Sequence, residues 1–430
     1  MSESNTQPAV QSVLKQKTPA DPSPHPERGI PQHSELAFPG VLLGAAFVVG
    51  IFGVLAIMLT AAASFMKREV GQTYSELLAS AGENDVLGRI LWALGDMTEP
   101  QSYASGIASI GLLCGATIAW LAWRARKRWA GMPTFYGTGL WPWVLGSSTL
   151  SLLLSNLLFG WMLAQGWQPT FVPFVSVPAL LVLVYGRGWA VLVTGAVSGA
   201  VTTTPVAILL IRFVTSPLEL PSVVAITAAM SLSAAVAFTV SRYLPWMRLP
   251  DTLTPDAGHQ QPLPVTVVGP PSVLKDALWT VRRVLADFTE AQFCANEWAS
   301  LGVIIGVCTA FILNPLLPAF GTELLPRILF SQALASALGV LMWRRLYRAG
   351  GWAPTFIPVV SVAPATVIAF NGSALAMVLG AAGSALLGPI IARPVMNRLP
   401  NDFHPFIGVT VSIAATSAII VTALRLLPGS

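Results

Sequence analysis

Long apolar runs, separated by short polar segments, follow one another along the chain from residue 38 onward. A helix rises about 1.5 Å per residue, so roughly 20 apolar residues cross a bilayer core of about 30 Å. Eleven runs free of Asp, Glu, Lys, Arg and His are candidate spans: 38–66, 104–123, 141–165, 171–186, 188–211, 221–241, 299–318, 328–343, 353–370, 373–392 and 405–424. The pattern predicts an all-α integral membrane protein with about eleven transmembrane segments. Some runs are short or contain proline, which favours broken or re-entrant segments there.

The second half of the chain repeats the first. Residues 166–177 recur as residues 351–362, identical at nine of twelve positions. Upstream, the pattern Asp-x-Thr-Glu-x-Gln stands at 96–101 and again at 287–292, so these matches follow in the same order. Such an ordered match indicates an internal duplication.

The repeat and the apolar runs together divide the chain into five regions. We predict a disordered cytoplasmic tail at 1–37, because that segment is polar and rich in Pro and Ser. An extra N-terminal transmembrane helix at 38–66 has no counterpart in the repeat. Two five-span repeats at 86–247 and 273–428 follow, joined by a Pro-rich cytoplasmic linker at 248–272.

The distribution of basic residues predicts how the halves are oriented. Five spans per half is an odd number, so the second half enters the membrane from the opposite side. With a cytoplasmic N-terminus, 18 of the 24 Lys and Arg residues fall in inner segments, as the positive-inside rule requires. The two repeats are therefore predicted to be inverted, in a multi-pass protein of the cell membrane, such as a cell inner membrane. Lys67 and Arg68 fall on the predicted outer side, so the orientation of the first span stays open.

Composition supports this class and limits the partners. The chain has 54% hydrophobic and 10% charged residues and a mean hydropathy of +0.68, which points to the lipid bilayer as its main partner. Its net charge of +5 is not gathered into a basic domain, so no nucleic-acid partner is expected. No nucleotide-binding loop is present, which argues against ATP drive. A homo-oligomer remains open.

Two proline-interrupted segments at matching positions are the main site hypothesis. In inverted-repeat transporters such segments offer free backbone groups to a ligand at the membrane midplane. Prolines remove backbone donors, and nearby Thr and Ser residues supply hydroxyls. The candidate substrate-binding residues are Pro169, Thr170, Phe171, Pro173 and Ser176 in the first half, and Pro354, Thr355, Phe356, Pro358 and Ser361 in the second. The alternative is that the prolines only shape an interfacial loop.

Polar residues elsewhere provide secondary candidates. Asn156 and Gln332 are amides inside predicted spans, where lipid would not satisfy them, and Asn371 lies at a turn between spans. The repeated Thr98-x-x-Gln101 and Thr289-x-x-Gln292 fit capping boxes at helix N-termini. A catalytic use of the adjacent carboxylates is the competing interpretation.

These features predict a secondary transporter that moves a small solute across the cytoplasmic membrane by alternating access. The predicted spans hold no ionisable side chain, which disfavours proton coupling, so a sodium ion is the candidate coupling ion and no other cofactor or metal is expected. One alternative is an uncoupled, channel-like facilitator of a neutral solute. Another is a membrane-embedded enzyme acting on a lipid-linked substrate, with Asp96, Glu99, Asp287, Glu290, Glu323 or His404 at its surface. We expect no enzymatic activity.

Overall fold

The computed structural model describes residues 37–65, 71–83, 85–99, 101–250, 272–348 and 352–427. Regular structure in these ranges is entirely helical. The α-helices are α1 (Phe38–Phe65), α2 (Tyr74–Gly82), α3 (Val86–Gly95), α4 (Gly106–Arg124), α5 (Trp141–Phe159), α6 (Val177–Tyr185), α7 (Trp189–Ser198), α8 (Thr204–Leu210), α9 (Ser222–Ser241), α10 (Val273–Asp287), α11 (Glu297–Leu313), α12 (Leu325–Arg348), α13 (Ala363–Ala369), α14 (Ala374–Met396) and α15 (Phe406–Arg425). Nearly all of the predicted tail 1–37 and most of the predicted linker 248–272 lie outside the described residues.

Eight helical segments among the described residues are long and apolar enough to cross a membrane. They are Phe38–Phe65, Gly106–Arg124, Trp141–Gln165, Trp189–Thr215, Ser222–Ser241, Leu325–Tyr347, Ala374–Met396 and Phe406–Arg425. The other three predicted spans correspond to shorter apolar helices at Val172–Tyr185, Glu297–Leu313 and Pro358–Ala369. The protein is thus an all-helical, multi-pass membrane protein, and the count of eleven stays a prediction.

The helices that contain the proline-rich elements are irregular. In the first half a 3-10 turn, Val172–Val175, leads into α6 through Ser176, whose φ of −142° and ψ of −123° interrupt the helix. In the second half a π-helical turn, Pro358–Val362, leads into α13. Prolines lack the backbone N–H that a continuous helix needs, which explains why regular α-helix does not run through these segments.

Helices α4 and α11 touch through their backbones. A Cβ atom added to Gly111 would overlap the carbonyl oxygen of Gly302, and one added to Gly302 would overlap that of Gly111. The contacts follow in reverse order along the two helices, pairing Ile107 with Gly306, Gly111 with Gly302, and Gly115 with Trp298. The helices are therefore antiparallel, and their small residues permit the close approach that membrane helices use.

Helices α9 and α15 also run antiparallel. The hydroxyls of Ser231 and Thr410 are 2.7 Å apart, while the ring of Phe238 stacks on Phe403 just before α15. At the opposite end of the pair, Arg425 donates a hydrogen bond to the carbonyl oxygen of Glu219. Contacts that lie further along α9 therefore lie earlier along α15, as in an antiparallel pair.

The unduplicated helix α1 packs on the second half. Added Cβ atoms at Gly40 and Gly44 would overlap the carbonyl oxygens of Val273 and Ala277 in α10. Further along, the ring of Phe52 stacks on Phe288 at 5.1 Å. These close contacts cover one face of α10, which otherwise carries several charged residues.

Candidate functional site

The repeated Asp-x-Thr-Glu-x-Gln segments form turns and do not begin helices. Helices α4 and α11 begin later, at caps supplied by Ser105 and Asn296. Thr98 instead donates to the carbonyl oxygen of Gly95 at 2.9 Å, and the hydroxyl of Thr289 pairs with Ser300. The capping-box interpretation is therefore wrong. Thr98 and Thr289 fit the local pattern, but another polar residue, closer to the first turn, caps each helix.

In the first half the repeated motif and the proline-rich element meet in a buried hydrogen-bond network. The Thr170 hydroxyl donates to Oδ2 of Asp96 at 2.6 Å, and Asn156 Nδ2 donates to the same oxygen at 3.3 Å. The indole N–H of Trp92 donates to Thr170 at 3.2 Å. Burial raises the pKa of Asp96 to about 7, although its hydrogen bonds act in the opposite direction.

The second half contains the equivalent network with a cation added. The Thr355 hydroxyl donates to Oδ1 of Asp287 at 3.2 Å, and Ser336 donates to Oδ2 at 2.5 Å. Nη2 of Arg283 lies 2.6 Å from Asp287, 2.6 Å from Glu290 and 3.2 Å from the Thr355 hydroxyl. Arg283 is 1% exposed, so this ion pair is shielded from water.

The two glutamates of the repeated motif therefore have different surroundings. Glu290 is paired with Arg283 and accepts a hydrogen bond from the Trp352 indole at 3.3 Å. Glu99 accepts one from Gln101 Nε2 at 2.9 Å, and no Lys, Arg or His of the described chain forms an ion pair with it. Burial raises the pKa of Glu99 to about 8.

A cavity lies beside Glu99, between the two proline-rich elements. Residues from both halves line it: Glu99, Gln101, Trp167, Phe171, Val175, Ser222, Val223, Ile226, Thr227, Met230, Ala291, Gln292, Phe320, Val360, Ser361, Phe406, Thr410 and Ile413. Gln101 and Gln292 occupy the same position in the two copies of the repeated motif, and Val175 and Val360 the same position in the proline-rich element. The wall is largely apolar, with polar atoms at a few points, as in typical small-molecule sites.

The predicted site residues fall into separate groups. Phe171 and Ser361 line the cavity, whereas Thr170, Thr355 and Asn156 hold the buried aspartates. Phe356 is buried and stacks on the cavity residue Phe406 at 6.0 Å.

Gln332 bridges the halves, since its Nε2 donates to Val359 and its Oε1 accepts from Tyr103. Ser176 donates to the carbonyl oxygen of Val172, and Asn371 lies exposed in a left-handed turn with φ of 48°.

The four prolines shape the backbone and do not line the cavity wall. Pro173 and Pro358 lie in the first turn of the 3-10 and π-helical segments. The carbonyl oxygens of Pro169 and Pro354 each accept a hydrogen bond from a backbone N–H three residues later. They therefore lie in the irregular segments beside the cavity, and a direct contact with substrate stays a prediction.

Sequence reasoning did not identify several cavity residues. Gln292 is 8% exposed, and its Oε1 has no hydrogen-bond partner among the described residues. The indole N–H of Trp167 is likewise without a partner in that part of the chain. The repeat of the Asp-x-Thr-Glu-x-Gln motif was the available signal for Gln292, because both copies face the same space.

Neither Glu323 nor His404, the other carboxylate and imidazole considered for enzyme chemistry, lines the cavity. Within the described ranges no group of three or more His, Cys, Asp or Glu side chains could hold a metal ion. The chain matches no known protein-family model and no curated protein.

Proposed function

We propose that the protein is a secondary transporter of a small solute that works by alternating access, built from two inverted five-span repeats. Equivalent helices α4 and α11 meet antiparallel through equivalent glycines, Gly111 and Gly302. Helices α9 and α15, the last of each repeat, also pack antiparallel. Antiparallel contact between equivalent elements supports a pseudo-two-fold axis in the membrane plane, which is the arrangement that alternating access uses.

The observation that carries the proposal is the cavity between the two proline-rich elements. Both copies of the element contribute to its wall, through Phe171 and Val175 in one half and Val360 and Ser361 in the other. A site shared in this way changes its access when one half moves against the other. The buried Asp96–Thr170 and Asp287–Thr355 pairs hold each element to its own half.

The choice of coupling ion changes with the structure. The predicted spans hold no ionisable side chain, yet Asp96, Glu99, Asp287 and Glu290 lie buried or half-buried beside the proline-rich elements. A proton is therefore a coupling ion on the same footing as sodium in this proposal.

The test is transport by the purified protein in proteoliposomes. Small metabolites are screened for uptake with an imposed sodium gradient, an imposed proton gradient, or neither. The proposal expects a solute to accumulate above its external concentration with one gradient, and expects Phe171→Ala to reduce that uptake. Equilibration without accumulation indicates the uncoupled facilitator instead. If no solute enters faster than in protein-free liposomes, the transporter proposal is contradicted.

A further inference from the structure

The two copies of the repeated motif each supply a glutamate, Glu99 and Glu290. Only Glu290 forms an ion pair with a described residue. Glu290 has Arg283 at 2.6 Å, whereas the position equivalent to Arg283 in the first half is Trp92. Glu99 therefore faces the cavity with Gln101 as its only hydrogen-bond donor among the described side chains. A carboxylate in apolar surroundings is stabilised by a cation or by protonation.

The other polar atoms of the cavity favour a donor ligand. Gln292 is nine-tenths buried, lines the cavity, and offers an Oε1 acceptor that no described residue satisfies. A buried acceptor without a partner is costly, so a ligand that donates a hydrogen bond there is favoured. No Lys, Arg or His is found among the lining residues that the structure describes, and the Trp167 indole offers one buried donor. The carboxylate of Glu99 and the acceptor atom of Gln292 both disfavour an anionic ligand.

Aromatic rings form much of the remaining wall. Trp167 and Phe320 meet edge to face at 5.6 Å, and Phe171 and Phe406 also line the cavity. The faces of such rings attract cations, most strongly where water is excluded. Apolar parts of a ligand gain from contact with Ile226, Met230 and similar side chains in the same wall.

We propose that this cavity binds an amphipathic organic cation, an ammonium group carried on an apolar body. The ammonium lies between the Glu99 carboxylate and Gln292 Oε1, and the body packs against the aromatic wall. This inference rests on the proposed function, in which the same cavity is the transport site. It adds the chemical class of the substrate.

The test uses three probes with the same body and different charge: phenethylammonium, 2-phenylethanol and phenylacetate. Binding to the full-length protein in detergent is measured at pH 8 by calorimetry and by the shift in Tm. The ammonium is expected to bind about tenfold tighter than the alcohol, and phenylacetate weakest of the three.

Variants assign the charge recognition to one residue. Glu99→Gln is expected to weaken binding of the ammonium about tenfold and leave that of the alcohol unchanged. Glu99→Asp keeps the charge and is expected to retain most of the affinity. Glu219→Gln removes an exposed carboxylate, with a side chain 84% accessible, and serves as the matched control with unchanged binding.

Three results would overturn the inference: the ammonium binds no better than the alcohol, phenylacetate binds best, or Glu99→Gln leaves the affinity for the ammonium unchanged. Gel filtration and Tm of each variant show whether it is folded, and the comparison of the charged and neutral probes on the wild-type protein decides the inference if Glu99→Gln is not. The binding assay requires no ion gradient. Its failure is therefore distinct from a failure of transport in proteoliposomes.

Discussion

Trp92 and Arg283 occupy the same position in the two copies of the repeat, and each donates a hydrogen bond of 3.2 Å to the threonine of its proline-rich element. The geometry is conserved between the halves while the charge is not. In the second half the guanidinium of Arg283 neutralises Asp287 and Glu290. Their counterparts in the first half, Asp96 and Glu99, form no ion pair with a described residue. The two halves thus share one framework and differ in electrostatics at its centre.

Replacing Arg283 with Met is expected to destabilise the protein strongly. The change leaves Asp287 and Glu290 buried without their cation, which costs about 3–5 kcal/mol. Unfolding in mixed detergent micelles measures the loss. The matched control is Arg242→Gln at the solvent-accessible pair with Asp402, expected to cost much less because water and salt screen that pair.

The double variant Arg283→Met with Glu290→Gln is expected to recover part of that stability, because one buried charge is removed along with the guanidinium. Equal stability of the single and double variants would contradict the view that unpaired charge causes the loss.

Removing the hydroxyl of Thr170 or of Thr355 is expected to have similar effects in the two halves. Each hydroxyl donates to a buried aspartate, and at a pH above the pKa of that aspartate such a hydrogen bond to a charged group contributes about 1.5–3 kcal/mol. Thr170→Val and Thr355→Val are compared with the serine variants, which keep the donor and are expected to stay near the wild-type stability. A serine variant as unstable as its valine counterpart would show that the methyl group, not the hydrogen bond, matters.

Enlarging the glycines between α4 and α11 is expected to separate the helices. Gly111→Ala places a methyl group against the backbone of Gly302, at a cost of about 1–3 kcal/mol, and Gly302→Ala meets the reverse contact. Gly50→Ala in α1 is the control, since an added Cβ there meets nothing within 4 Å and helix propensity improves by about 1 kcal/mol. A Gly111→Ala protein as stable as Gly50→Ala would contradict the observed contact.

Stability is expected to fall with rising pH because of Glu99. Its pKa is raised by burial from 4.5 to about 8, so the folded state holds the proton more tightly than the unfolded state. The contribution is fully favourable below about pH 4.5 and is lost as the pH rises to about 8. Tm measured across this range is expected to decline less steeply in Glu99→Gln than in the wild type. Parallel Tm curves for the two proteins would exclude this origin.

Much of the helical framework follows from local pattern. Apolar runs of sufficient length located the eight long helical segments, and Pro173 and Pro358 marked where regular helix is interrupted. The ends of the helices differ from the predicted spans by a few residues, because a polar cap such as Ser105 determines where the first turn begins.

The site itself depends on contacts that no local pattern contains. Asp96 and Thr170 are 74 positions apart, and Gln332 reaches Tyr103 across 229 positions. The capping-box pattern at Thr98 was a local match, but in the folded protein Ser105 caps the helix. The capping interpretation gave the neighbouring Glu99 no role in binding, whereas Glu99 lines the cavity. The repetition of the motif was the stronger signal, because in the structure both copies lie beside the proline-rich elements.

The contact between α4 and α11 has the symmetry of a homodimer interface. Gly111 and Gly302 are equivalent in the repeat and contact each other. Gly115 contacts Trp298, and the equivalent pair, Gly306 and Ile107, makes the same contact. An isologous contact of this kind is the surface through which two identical chains associate about a two-fold axis. Each half therefore presents, on the first long apolar helix of its repeat, a surface that fits the other half. Halves produced as separate polypeptides in one cell are expected to find each other without a covalent connection.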